Sequence, residues 1–364
     1  MPAELLPLQG LVPEALVRAL PVVTLAEARK IVGAVHRDLP LDGGIAGVRR
    51  VAMDEVRART HVPTLSVLRT EASQVDPFVK LALGTHDGHV IETVRIPLEK
   101  PGRFSVCVSS QVGCALGCTF CATGRMGLTR NLEPWEIVEQ VRLVKRGLAR
   151  DGQGGRVHGV VFQGMGEPLA NLDRVLQALQ VLREPAALAI DARNVTVSTS
   201  GLPSGILRLA KEAPKVRLAL SLGTVVPGER KRLLPIDDKH PLEEVLAAAA
   251  VHATSTGLAP LWAVTLLAGV NDDERHARAL AARLLTFAAD TGVRPRLSVI
   301  PYNAIGDDDP YARSSETRED AFREAMARAG APTHKRYSGG GDVQAACGQL
   351  AGVTRRGVPA DAAG

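Results

Sequence analysis

Over the first 75 residues, apolar positions recur at helical spacing. They do so at 12–20, 25–35 and 48–59, with Pro21, Pro40 and Gly43-Gly44 as punctuation, so three short helices are expected. From 78 to 97 the period falls to two. Residues 79–83 and 90–96 alternate on either side of Asp87-Gly88, a pair suited to a tight hairpin turn. Further on, apolar stretches at 104–109, 157–162, 195–199, 216–222, 261–267 and 296–300 read as strands separated by helices. The clearest helix spans 133–150, where Ile137, Val141, Val144 and Leu148 form one stripe and Pro134 sits near the first turn. Another runs from Pro241 to Gly257. Such alternation implies an α/β fold of parallel strands with right-handed crossovers. Six units are too few for a closed eightfold barrel. A helix at 317–329, a last strand at 333–337 and a frayed tail at 353–364 complete the pattern.

Three thiols sit in eight residues, Cys114, Cys118 and Cys121, spaced C-x3-C-x2-C directly after the first barrel strand. A loop this tight can wrap them around one metal centre. An iron–sulfur cubane takes one thiolate per iron, so three ligands leave one iron open. A zinc site is the alternative, but structural zinc takes four closed ligands, usually in paired C-x2-C units. Elsewhere, Val90, Glu92, Val94 and Ile96 share one strand face, where a carboxylate must be paired or used. Cys107 shares a face with Ser105 and Ser109, where a small thiol could simply pack. Cys347 follows the glycine-rich run 339–341, and a lone cysteine is more often a small buried apolar group. Arg49, Arg50, Arg57 and Arg59 could face phosphates or merely solvate a helix.

Composition adds less. The net charge of +5 is compatible with RNA binding, and 3% aromatic residues argue against a broad base-stacking platform. Five cysteines, three of them clustered, do not resemble a secreted disulfide framework. No basic segment followed by an apolar run opens the chain, and no apolar stretch is long enough to span a membrane. A cytoplasmic location without membrane attachment is therefore expected.

C-x3-C-x2-C with Phe120 before its last cysteine resembles the radical SAM superfamily. The longer string CVSSQVGCALGCTFCATG, together with GMGEP and AACGQLAG, resembles the RlmN/Cfr family of RNA adenine methyltransferases over roughly residues 78–352. The resemblance implies a partial (βα)6 radical SAM barrel at 101–305. Around it would lie a small N-terminal helical, RNA-binding domain at 1–75, a β-hairpin extension at 76–100 and a C-terminal segment at 306–352. It implies a [4Fe-4S] cluster on Cys114, Cys118 and Cys121, and S-adenosylmethionine held by Gly166, Glu167, Ser198, Ser221, Leu222, Gly223 and Asn303.

It further implies Cys347 as methyl carrier, Glu92 as proton acceptor, and Cys107 as the thiol that releases product by forming a disulfide with Cys347. The implied substrate is an adenine ring carbon, C2 by default, of large-subunit ribosomal RNA and also of transfer RNA. The implied partner is an electron donor such as flavodoxin or ferredoxin, serving a monomer. Three departures stand out, the first being that the aromatic-rich pattern common in the family's N-terminal domain is not evident here. Relatives commonly read SLHA where this chain has Ser221-Leu222-Gly223-Thr224, and they usually keep a basic residue ahead of Asp342. These leave two other readings open. One is the same chemistry at adenine C8 or on another acceptor, and the other is a non-catalytic RNA-binding protein with a structural metal.

Overall fold

In the computed structural model, which describes residues 5–152, 154–306, 308–335 and 338–351, the N-terminal helical spacing folds as expected. Strand β1 (Leu6–Pro7) is followed by α1 (Pro13–Ala19), α2 (Leu25–His36), α3 (Arg50–Arg59) and β2 (Thr60–His61), which returns parallel to β1. A capping box between Thr24 and Glu27 starts α2. Leu16, Leu20, Ile31, Val32, Met53 and Val56 close a small core of their own. The four arginines of this unit are largely answered from within it. Arg49 lies on Glu27 at 2.8 Å, Arg57 donates to the Leu41 and Asp42 carbonyls, and Arg50 and Arg59 reach Asp54 and Glu55 at 3.7 Å.

Three antiparallel strands come next: β3 (Ser66–Ala72), β4 (Val79–Gly84) and β5 (Val90–Pro97). β3 falls inside the stretch read as helical. Its residues are mostly exposed on both faces, so the sequence carries little alternation to reveal it. β6 (Arg103–Val108) pairs antiparallel with β5, and β7 (Gln111–Cys114), α4 (Ala122–Arg125) and β8 (Gly127–Asn131) follow. β7 and β8 form a separate antiparallel pair that frames the cysteine loop and was too short to be read from periodicity.

Helix α5 (Pro134–Arg150) leads into the repeating part of the chain: β9 (Arg156–Phe162), α6 (Leu172–Arg183), β10 (Val195–Thr199), α7 (Pro203–Glu212) and β11 (Arg217–Ser221). Then come α8 (Arg230–Leu233), α9 (Leu242–Thr256), β12 (Leu261–Leu266), α10 (Glu274–Thr291), β13 (Arg296–Pro301), α11 (Glu316–Arg328) and β14 (His334–Lys335).

All the large strands join one ten-stranded sheet, ordered β14-β13-β12-β11-β10-β9-β6-β5-β4-β3. From β6 to β14 every neighbour is parallel, as the six-unit pattern predicts. The hairpin is therefore continuous with the barrel sheet through β5 and β6. The α5 stripe of Ile137, Val141, Val144 and Leu148 is buried against it. Arg142, also buried, fastens the N-terminal unit to α5. It donates to the Val35 carbonyl at 2.8 Å and Asp38 at 2.6 Å while facing Glu139 at 2.7 Å. The end of the expected last strand, 336–337, and the tail at 353–364 lie outside the described residues. Among the described residues, no helix is long and apolar enough to cross a membrane.

Candidate active site

Cys114 ends β7, and the chain then turns through Cys118 and Cys121 before α4. Two distant segments hold this loop in place. Thr119 N–H donates to the Leu233 carbonyl at 3.0 Å, and Ala122 N–H donates to the Gly348 carbonyl at 2.8 Å. Thr123 Oγ1 donates to the Leu350 carbonyl. Burial pushes the Cys114 and Cys118 thiols up to about 12, and the nearby cysteines add to the effect. Cys121, whose edge opens into the cavity, is also shifted upward by burial.

Thiols that resist ionisation alone are ionised when a cation coordinates them. Among the described residues, no three His, Cys, Asp or Glu side chains close around a single ion. Three thiols in one loop suit a polynuclear centre that takes one thiolate per iron, whereas a structural zinc takes four ligands.

Beside the loop, a cavity at the carboxyl ends of the strands is lined by Cys118, Cys121, Gly166, Glu167, Ser198 and Ser221. Glu167 N–H donates to Gln111 Oε1 at 2.8 Å, which draws the turn against β7. Gly166 must be glycine here. Its φ is 100°, and a Cβ would come within 2.5 Å of Gln111 Cβ. The Glu167 carboxylate accepts from Leu169 N–H and Ser200 N–H, each at 3.0 Å. Burial nevertheless pushes it up to about 7. A buried carboxyl so poised fits an arriving ammonium group, which would stabilise its charged form.

Three further residues expected to hold the cofactor are not among those lining this cavity. Leu222 is fully buried in the core. Gly223 has φ 66°, and an added Cβ would meet Leu234 Cδ1 at 2.9 Å, so this position packs inward. Asn303 Nδ2 donates instead to Ser338 Oγ at 2.9 Å. Thr199, Ser200, Thr265 and Tyr302 line the cavity without having been expected as cofactor contacts. Apart from Thr265, these residues flank the expected contacts, a hint that strand-end position alone could have supplied.

A second cavity adjoins the first through Cys121, Gln163, Gly164 and Cys347. Cys107, Ile96 and Phe78 form part of its wall, so Cys107 and Cys347 face one space without being joined in a disulfide. The segment carrying Cys347 is pinned at both ends. Gly340 N–H donates to Asp76 at 2.8 Å, Gln74 N–H donates to Asp342 at 2.9 Å, and Ala351 N–H donates to Glu92 at 2.8 Å.

Glu92 shares a sheet face with Cys107, since Val94 is the register partner of Cys107 and lies two residues away. It opens, however, into a separate cleft with Arg69, Glu71, Lys80 and Asp342. Buried Lys80 places Nζ 3.1 Å from both Glu92 and Glu71. Sequence reasoning missed Lys80, although the hairpin register puts it on the Glu92 face.

The Radical SAM superfamily matches over residues 108–279. A probable RNA methyltransferase of Sorangium cellulosum is 58% identical over 90% of this chain and 88% of its own length. A dual-specificity RNA methyltransferase RlmN of Syntrophobacter fumaroxidans is 43% identical over 79% of this chain and 80% of its own. The crystal structure of a radical SAM methyltransferase from Sphaerobacter thermophilus is similar with a TM-score of 0.85, at 35% identity, over 96% of this chain and 100% of that one.

Proposed function

Because this chain belongs to the RlmN-type family of radical SAM RNA methyltransferases, we propose that it methylates C2 of adenine in large-subunit ribosomal RNA, with transfer RNA as a second acceptor. The observation that carries the reading is the shared cavity of Cys107, Cys121 and Cys347. In this proposal Cys114, Cys118 and Cys121 hold a [4Fe-4S] cluster, and Gly166, Glu167, Ser198 and Ser221 hold S-adenosylmethionine beside it. When bound, these cofactors supply the methyl group and the one-electron chemistry that an electron-poor ring carbon requires.

The remaining work falls to the chain. Cys347 carries the methyl group as a thioether and presents it from a segment braced against the cysteine loop. Cys107 attacks the Cys347 sulfur, so the sulfur–carbon bond to the product breaks and a disulfide forms; the two cysteines must then approach within about 7 Å between Cα atoms. Glu92 takes the ring proton, and Lys80, with Nζ at 3.1 Å, orients its carboxylate. Its hydrogen bond to Ala351 N–H must open for that role, which couples proton removal to movement of the carrier segment. Reduction calls for an external donor of flavodoxin or ferredoxin type.

The test is mass analysis of nucleosides from ribosomal and transfer RNA of a deletion strain and its complemented parent. Loss of 2-methyladenosine on deletion is expected. Loss of an 8-methyl product, or no change in either RNA, overturns the C2 assignment.

A further inference from the structure

Four of the six main parallel barrel strands begin with arginine: Arg103 on β6, Arg156 on β9, Arg217 on β11 and Arg296 on β13. A fifth, Arg193, lies just ahead of β10. Parallel strands start at one end, so these side chains crowd the end of the sheet opposite the cysteine loop. Arg103 and Arg156 are direct register partners. Arg193, Arg217 and Arg296 line one cleft together with Asn194 and Thr196.

The crest is poorly neutralised. Arg193 pairs with Asp191 at 2.7 Å, but the other four make no ion pair with a described carboxylate. Arg217 Nε donates to the Arg193 carbonyl at 2.7 Å instead. Burial, then the neighbouring Arg296 and Arg193 charges, hold Arg217 below the usual guanidinium range. His158, beside Arg103 and Arg156, is lowered by burial and by the same kind of repulsion. The arginines of the N-terminal unit, by contrast, are met by carboxylates and carbonyls. Like charges gathered without counter-ions are unfavourable in the free protein and favourable toward an anion.

We propose that this arginine crest is a second RNA-binding surface that grips phosphate groups of the substrate RNA away from the nucleotide being modified. Guanidinium forks match phosphate oxygens in bidentate fashion. No aromatic side chain lines the cleft, so the contact reads backbone and not bases. A barrel strand of six residues spans roughly 20 Å, less than the ~34 Å turn of a nucleic-acid duplex, so one folded RNA can touch both ends. The proposal rests on RNA being the substrate and is indifferent to which carbon is methylated.

The test measures binding of protein-free large-subunit ribosomal RNA to wild type and to R156Q/R217Q/R296Q across a salt series. Each lost phosphate contact lowers the log–log salt slope by about 0.7–0.9, so the triple variant should lose about two units or more, with a roughly 120- to 500-fold weaker affinity at 0.1 M salt when the two proteins are matched at 1 M. Melting temperature, cluster content and the rate at saturating RNA should be unchanged. R156Q/R296Q, confined to exposed side chains, should show an intermediate slope even if loss of the Arg217 hydrogen bond harms folding. Wild-type slopes in both variants overturn the proposal. So does normal RNA binding with impaired reduction by flavodoxin, which would assign the crest to an acidic protein.

Discussion

Replacing Lys80 by Met tests the buried charge cluster under the carrier segment. The Lys80 side chain is 6% exposed and bridges Glu92 (7%) and Glu71 (28%), with Nζ 3.1 Å from each. Met keeps the length and removes the charge, so two carboxylates lose the cation they share. Removing one partner of a buried pair costs about 3–5 kcal/mol. The partial exposure of Glu71 and the Ala351 N–H on Glu92 moderate the loss, which places the expected destabilisation at about 3 kcal/mol. Urea unfolding of wild type, K80M, E92Q and K80M/E92Q measures it.

Neutralising Glu92 as well removes half of the mismatch, so the double variant should be more stable than K80M by about 1–2 kcal/mol. RNA methylation by K80M should also fall, because Glu92 braces Ala351, four residues beyond Cys347. A K80M variant within about 0.5 kcal/mol of wild type, with an additive double variant, would refute the reasoning, since that is the behaviour of a surface ion pair.

Two further outcomes follow from the thiols. Replacing Cys114, Cys118 or Cys121 by Ala should abolish iron–sulfur absorbance and S-adenosylmethionine cleavage alike; cleavage retained in any one of them removes that residue from the ligand set. Cys107→Ala should accumulate a nuclease-sensitive, slower-migrating protein–RNA band on denaturing gels, absent from the double variant with Cys347→Ala. Normal turnover without the band would reduce Cys107 to a packing residue.

Strand and helix periods in the barrel were legible because each strand is bounded by turn residues and buried on both faces. The expected 104–109 and 296–300 differ from β6 and β13 by a residue at most at each end. The cysteine spacing was legible because the loop that positions the thiols is contiguous. β3 was not, since its exposed faces leave no alternation to detect. The inward packing of Leu222 and Gly223 was not legible for a related reason. Once β11 ends, periodicity no longer says which way a side chain points: Leu222 is buried in the main core, and Gly223 backs onto Leu234.

The carrier segment lies furthest beyond local reading. The Cys347 segment meets the cysteine loop through Gly348 and Leu350, whose carbonyls accept from Ala122 N–H and Thr123 Oγ1, contacts between segments far apart in sequence that no periodicity encodes. The same geometry carries a mechanical consequence. A segment that braces the loop with two of its carbonyls cannot move freely while the loop is in place, so rearrangement at Cys347 must be accommodated on its other side. There the tethers are Gly340 on Asp76 and Asp342 on Gln74, while Ala351 on Glu92 and Gln349 on the Ala304 carbonyl hold the same flank as the loop contacts. In the proposed mechanism, where Glu92 takes the ring proton, that step frees the Ala351 tether and so couples to movement of the Cys347 segment.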